Sequence, residues 1–149
     1  MGRFKHLIDS SARMEGFRAK YHISSGVALR YCALNRIVID RREREVVIPM
    51  IAFIEGGMML PMGRVTRDYL INHRLCPYQC TPNLFRVLGS VDALNKQMGL
   101  RFTWHDVVHM YECHSLTDLG YYLKSRSSIV RLVSCFHYPT REGEPGGVT

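Results

Sequence analysis

The sequence predicts a single compact domain of the α+β class, mainly helical with a small β component. The chain has 149 residues, of which 46% are hydrophobic, enough to form one core. Residues 81–99 carry both start and stop signals for a long helix. Segments near 36–48 and 119–135 contain the β-branched and aromatic clusters typical of short, hairpin-like strands.

Three short helices are expected before the long one. Ser10 or Ser11 is suited to begin a helix that carries Phe17 and Tyr21 towards the core. The segment "MIAFIEGGMMLP" predicts a short apolar helix that ends at its pair of glycines and continues as an extended segment. Residues 64–74 predict another helix, with an irregular apolar stripe.

The long helix has the clearest local signals in the chain. Thr81 is expected as its N-cap, Pro82 as its first residue, and Gly99 as the left-handed residue that ends it. Apolar side chains recur at spacings of three and four and predict one face against the core. These are Leu84, Val87, Leu88, Val91, Leu94 and Met98.

Two pairs of strands are expected. "RIVIDRREREVVI", residues 36–48, has β-branched clusters on both sides of a charged centre, which predicts two short strands and a polar turn; an irregular loop is the alternative. "LGYYLK" at 119–124 and "IVRLVSC" at 129–135 predict a second pair joined by "SRSS". Residues 139–149 lack an apolar pattern and are expected to be disordered.

The charge balance favours polyanionic partners. Lys and Arg number 20 against 13 Asp and Glu, giving a net charge of +7, and most of the basic residues are Arg. Arg suits bidentate phosphate contacts, so weak RNA or DNA binding is one expectation. A basic domain without such a role is the alternative, because the sequence contains no long basic run.

Cysteine usage and hydropathy predict an intracellular protein. Five irregularly spaced cysteines, with no apolar signal segment in "MGRFKHLIDSS", indicate reduced thiols in the cytoplasm or nucleus rather than a secreted, disulfide-linked protein. The longest apolar stretch is interrupted by Pro49, Glu55, two glycines and Pro61. It therefore does not resemble a membrane span.

The segment "TWHDVVHMYECH" raises the question of a catalytic or metal site. Thr103 and Asp106 match a capping box, which predicts a helix that begins at about Trp104. Helical spacing would turn one group towards the core: Trp104, Val107, Val108 and Tyr111. The opposite, solvent-facing side would carry His105, His109 and Cys113.

A metal site is the alternative prediction for these residues. "HDVVH" resembles the H-E-x-x-H helix of zinc hydrolases, but Asp replaces Glu, and a cap accounts for this Asp. A zinc-stabilised module could instead pair the cysteines of "CPYQC" with the two histidines. The candidate ligands in both cases are Cys76, Cys80, His105 and His109. Buried thiols with exposed imidazoles are the simpler interpretation.

Other catalytic and cofactor motifs are missing from the sequence. It contains no G-x-S-x-G nucleophile motif and no P-loop or dinucleotide-binding glycine pattern. The eight methionines are expected to fill the core rather than form a ligand site. We therefore expect no catalytic residue, no cofactor and a non-enzymatic role.

Four segments follow one another along the chain: "FRAKYHI", "VIPMIAFIEGGMMLP", "YLINHRLCPYQCTPNLFRVLGSVDALN" and "YYLKSRSSIVRLVSC". In this order they resemble the gag-like, gypsy-type transposon domain of plant retrotransposon-derived proteins. The resemblance covers about residues 17–135. Its most specific element is the Pro-x-Gln-x-x-Pro-Asn turn, which is "PYQCTPN" here.

The resemblance implies an element-encoded, mostly helical protein without established catalytic residues. The expected layout is a lead-in at 1–16, a gag-like domain at 17–138 and a tail at 139–149. The chain departs from the family beyond the "LVS" segment, a pattern that fits a truncated domain, and it has no zinc knuckle of the C-x₂-C-x₄-H-x₄-C type. The expected function is self-association or partner binding, with weak nucleic-acid affinity.

Overall fold

The computed structural model describes residues 3–33, 42–116 and 120–126. Within these ranges the protein is mostly helical with one two-stranded antiparallel sheet, which confirms the predicted α+β class. The α-helices are α1 (Ser11–Lys20), α2 (Met50–Ile54), α3 (Arg64–Asn72), α4 (Pro82–Met98) and α5 (Trp104–Met110). The strands are β1 (Tyr111–Leu116) and β2 (Gly120–Ser125), and short 3-10 turns cover Lys5–Leu7 and Pro77–Gln79.

Local capping signals predict most helix boundaries correctly. The Ser10 hydroxyl accepts a hydrogen bond of 3.3 Å from the backbone N–H of Arg13, so Ser10 caps α1. Helix α4 begins at Pro82 and ends at Met98, and Gly99 follows with a φ of 63°, the left-handed value expected of this glycine. Helix α1 also crosses the expected boundary between residues 16 and 17, so the lead-in and the domain share this helix.

Helix α4 lies at the centre of the core. Its predicted stripe is largely confirmed, because Leu84, Val87, Leu88 and Val91 have no exposed surface. Met98 is an exception: it is 67% exposed because the last turn of the helix extends beyond the elements packed against it. Helices α2 and α3 and strand β2 all contact α4.

The sheet includes a strand that the sequence does not predict. Strand β2 overlaps the expected strand at 119–124 and pairs with β1, whereas the predicted partner at 129–135 lies outside the described residues. Helix α5 contains His105 and His109 but ends at Met110, so Cys113 lies in β1 rather than on the helix. Arg126, directly after β2, donates from its backbone N–H to the Met110 carbonyl at 2.9 Å and from Nε to the Val108 carbonyl at 2.9 Å. These bonds satisfy carbonyl groups at the end of α5.

The other predicted strand region is not a strand where it is described. Residues 42–48 form a turn and an irregular segment, and the first part of the predicted pair, 36–41, lies outside the described residues. Bonds from Arg30 and from the backbone of Arg42 to Glu45 provide local hydrogen bonding here. The expected disordered tail at 139–149 also lies outside the described residues.

A carboxylate from α4 holds the start of α3. Gly63, at the N-cap of α3, has no side chain to accept hydrogen bonds from the first turn. Asp92 replaces it: its two oxygens accept from the backbone N–H groups of Val65 (2.9 Å) and Thr66 (3.1 Å) and from the Thr66 hydroxyl (2.7 Å). A Cβ at Gly63 would overlap this carboxylate, so the glycine permits the close approach of the two helices.

Candidate binding cleft and the predicted site residues

A large cleft of about 850 Å³ lies in the N-terminal half of the protein. Helix α1, residues 27–32 and residues 42–53 contribute most of its lining. Its floor is apolar and includes Phe17 and Phe53, whose rings meet edge to face at 5.6 Å. The cleft has the size and apolar floor that are typical of binding sites.

Hydrogen bonds and aromatic contacts hold the wall of the cleft in place. The Arg18 guanidinium donates to the carbonyls of Ser24 at 2.7 Å and Val27 at 2.6 Å, which fixes residues 24–27 against α1. The Ser24 N–H donates to the Leu60 carbonyl at 3.1 Å. Together these bonds connect three separate parts of the chain around the apolar floor.

The rim of the cleft is basic. Among the described residues that line it, Glu45 is the only acid. Most of the cations lie in two short stretches, at 3–5 and at 42–44, and the full set is Arg3, Lys5, Arg30, Arg42 and Arg44. Arg42 and Arg44 are exposed, so their charges lie at the mouth of the cleft. This arrangement attracts anionic groups towards an apolar surface.

Glu45 organises the rim. Its carboxylate accepts two hydrogen bonds from the Arg30 guanidinium, at 3.0 and 2.6 Å, and one from the backbone N–H of Arg42 at 2.9 Å. The Arg30 hydrogen bond is the main reason that the pKa of Glu45 falls to about 2, and the Arg42 N–H adds to it. Glu45 is thus ionised at neutral pH and offsets one of the five rim cations.

A second, smaller groove of about 380 Å³ adjoins the cleft. Val46 and Met62 line both hollows, so the apolar surface is continuous between them. Ile71, on α3, extends this surface, and Arg67 and Arg74 add two more cations. Val46 is 64% exposed and Ile71 65% exposed. Two large apolar side chains are therefore open to solvent on one surface.

The four predicted metal ligands do not form a metal site. Among the described residues, which include all four, no group of three or more His, Cys, Asp or Glu side chains could hold a metal ion. Cys76 is exposed and Cys80 is buried, with its thiol 3.5 Å from the Cys76 carbonyl. His105 and His109 are exposed on α5. The His105 ring stacks on the neighbouring Trp104 ring at 3.8 Å.

The third member of the predicted solvent-facing side, Cys113, does not lie on the helix. It is in β1, opposite Leu123 of β2, because the chain leaves the helix at Tyr111. The core-facing prediction for the same stretch fits the burial of Val107 and Tyr111. The capping box is also present in part, since the Asp106 carboxylate accepts from the Thr103 N–H at 2.7 Å.

Burial makes the thiols near the sheet poor nucleophiles. Burial raises the pKa of Cys80 to about 12, and the neighbouring thiols Cys113 and Cys76 add to this shift. Cys113 is exposed as a residue, but partial desolvation of its thiol also raises its pKa, and a hydrogen bond with Tyr69 partly opposes the change. A thiol must ionise to attack or to bind metal readily, so this environment disfavours both reactions.

The turn that carries the family resemblance has a structural role. The Gln79 side chain accepts from the Cys76 N–H at 2.9 Å, closing the 3-10 turn. The buried Asn83 side chain accepts from the Leu123 N–H at 2.8 Å, which joins α4 to β2. Thr81 is the N-cap residue as predicted, but its hydroxyl donates to the Tyr121 carbonyl at 3.0 Å instead of capping α4.

The cleft is the feature that sequence reasoning did not identify. Its one local signal is the placement of "RRERE" immediately before "VVIPMIAFI", which puts cations next to an apolar segment. The same charged stretch also predicts a turn between two strands. Helix α1 and residues 27–32 close the cleft, and their contacts join segments that are distant in the sequence.

Comparisons with known proteins give no assignment. No protein-family model, no curated protein and no solved structure matches the chain. Within the described residues, none of the helices combines the length and apolar character needed to cross a lipid bilayer. Any functional assignment therefore rests on the residues and the structure of the protein.

Proposed function

We propose that this protein is a non-enzymatic, retrotransposon-derived gag-like domain of the cytoplasm or nucleus. It acts by binding other polypeptides, either copies of itself or partners, and it holds RNA or DNA weakly through its Arg-rich surface. The observation that carries the proposed binding role is the continuous apolar surface of the cleft and groove, where Val46 is 64% exposed. Such exposed apolar surface is typical of interaction sites.

The basic charge supports the nucleic-acid part of the proposal. A net charge of +7 attracts polyanions, and the described cations that line the cleft and groove lie on several separate segments rather than on one helix or loop. Binding would therefore be mainly electrostatic and independent of base sequence. Affinity should fall steeply as the salt concentration rises, because phosphate contacts release bound counterions.

Sedimentation velocity over a range of protein concentrations tests the proposal, together with RNA and DNA binding across a salt series. Val46→Asp places a charge on the apolar surface at a side chain that is already largely exposed, so the fold should tolerate it. Met98→Asp is the matched control, since Met98 is equally exposed but lies outside the cleft and groove. We expect Val46→Asp, but not Met98→Asp, to weaken the binding of a partner polypeptide. A strict monomer that binds no partner and shows no salt-sensitive binding would refute the proposal.

A further inference from the structure

We infer that the cleft and the adjoining groove form one docking channel for an acidic amphipathic segment of a partner protein. The docking channel is defined by Val46 and Met62, which the two hollows share, with Arg42 and Arg44 lining the cleft and Arg74 lining the groove. This inference rests on the proposed function and specifies the chemistry of the partner.

The size of the channel favours a polypeptide segment. The cleft is about 850 Å³ and the groove about 380 Å³, and Val46 and Met62 connect them. Together they exceed the range of about 300–1,000 Å³ typical of small-molecule pockets. A helix or extended segment with one apolar face could cover both hollows, as in other complexes in which an amphipathic segment occupies a groove.

The apolar lining of the channel supplies the driving force. Ile71 and Val46 are both more than 60% exposed, and half-buried Leu75 continues the apolar surface after α3. Covering these groups removes apolar area from water, which contributes about 25 cal/mol for each Å². Nucleic acid has no comparable apolar face along its backbone, so it would leave this lining exposed.

The charge of the channel selects an acidic partner. Glu45 is the only acid among the described lining residues of both hollows, and it is already bound to Arg30. The remaining cations of the cleft and groove would face carboxylates on the bound segment. A second copy of this chain carries a net charge of +7. Charge repulsion therefore disfavours self-association through this channel.

A designed peptide tests the inference. The probe is a fluorescein-labelled amphipathic peptide of about 18 residues, five helical turns, with Leu and Phe on one face and Glu on the other. In one control peptide Lys replaces every Glu. In the other the sequence is scrambled, so that the peptide has no apolar face. Fluorescence anisotropy with the full chain gives the affinity of each peptide over a salt series.

Four variants locate the binding surface. Arg42→Glu with Arg44→Glu reverses two exposed rim charges, and Arg101→Glu reverses an exposed charge outside the channel. Val46→Asp places a charge on the apolar surface of the channel, and Met98→Asp does the same at an exposed apolar residue outside the channel. Circular dichroism confirms that each variant is folded. We expect the acidic peptide to bind best, and the double Arg variant and Val46→Asp to lose about tenfold or more in affinity. Arg101→Glu and Met98→Asp should bind like the wild type.

Several outcomes would overturn the inference. If the Lys peptide bound as tightly as the acidic peptide, the channel would not select for negative charge. If the scrambled peptide bound as tightly, the apolar face would not be required. RNA binding that depends on Arg42 and Arg44 without any peptide binding would assign the rim to nucleic acid. Self-association without peptide binding would refute the acidic partner but leave the proposed function intact. A monomer that binds neither peptide nor nucleic acid would refute both.

Discussion

Replacement of Asp92 by Ala should destabilise the protein more than removal of any surface ion pair. The Asp92 carboxylate accepts three hydrogen bonds from the first turn of α3, whose N-cap residue is Gly63. Two of the donors belong to Thr66, which is buried. Without the carboxylate, these donors lose their partner and the packing of α3 on α4 loses its polar connection.

The expected cost follows from the number and kind of bonds. A hydrogen bond to a charged group contributes about 1.5–3 kcal/mol, and loss of a helix N-cap costs about 1 kcal/mol. The three bonds share one carboxylate and are not additive. We therefore expect Asp92→Ala to lower the free energy of unfolding by about 3 kcal/mol, and Asp92→Asn, which keeps one acceptor oxygen, by about half as much.

Urea unfolding followed by circular dichroism at 222 nm measures this difference. With an m value of roughly 2 kcal/mol/M, the midpoint of Asp92→Ala should fall by about 1.5 M. Asp68→Ala is the matched control, because Asp68 lies on α3 and pairs with Arg64 and Arg67 at the surface. It should cost no more than about 1 kcal/mol. If Asp92→Ala lost no more stability than Asp68→Ala, the assigned role of the carboxylate would be wrong.

Three further predictions test other parts of the structure. Asn83→Ala should cost about 1–2 kcal/mol in urea unfolding, because it leaves a buried backbone N–H of β2 unpaired; unchanged stability would contradict this. Near neutral pH, iodoacetamide should modify exposed Cys76 well before buried Cys80, whose pKa is about 12; equal rates by peptide mass spectrometry would contradict the assigned burial. Carboxyl NMR should place the Glu45 titration at about pH 2, and Arg30→Ala should move it towards 4.5. Because the pKa of Glu45 is lower in the folded protein, its contribution to stability should be present above pH 4.5 and should be lost as the pH falls towards 2. If Arg30→Ala left the midpoint of the Glu45 titration unchanged, this explanation would be wrong.

Local sequence signals predicted the elements whose ends are set by their own residues. Ser10, Pro82 and Gly99 act within a few positions of the helices that they begin or end. The same reasoning placed α5 correctly at its start, where Asp106 accepts from the Thr103 N–H. Such capping bonds form between near neighbours, so one sequence is sufficient to identify them.

Long-range contacts account for the errors. The segment after Met110 has an apolar and polar spacing that fits a helix, yet it pairs with β2, and Arg126 bonds to the carbonyls at the end of α5. The spacing of three or four residues cannot show that a strand partner is available. Tyr111 illustrates the ambiguity, because it is buried as the helical pattern predicted although it begins a strand.

Long-range contacts also decide which of the candidate site residues lie together. The predicted ligands His105 and His109 lie on one exposed side of α5, as their spacing indicated, but Cys76 and Cys80 are not arranged with them as metal ligands. The cleft, by contrast, combines α1 with segments up to 62 and Tyr78. No sequence motif identifies the cleft, because its apolar floor and basic rim come from separate segments that the fold brings together.

Sedimentation velocity with the labelled acidic peptide tests the central claim most directly, because one run reports both self-association and peptide binding. We predict that the label co-sediments with the wild-type chain and with Met98→Asp, but not with Val46→Asp. A 17.2 kDa monomer that stays free of label at every protein concentration would contradict the assignment of the cleft and groove as a polypeptide-binding surface.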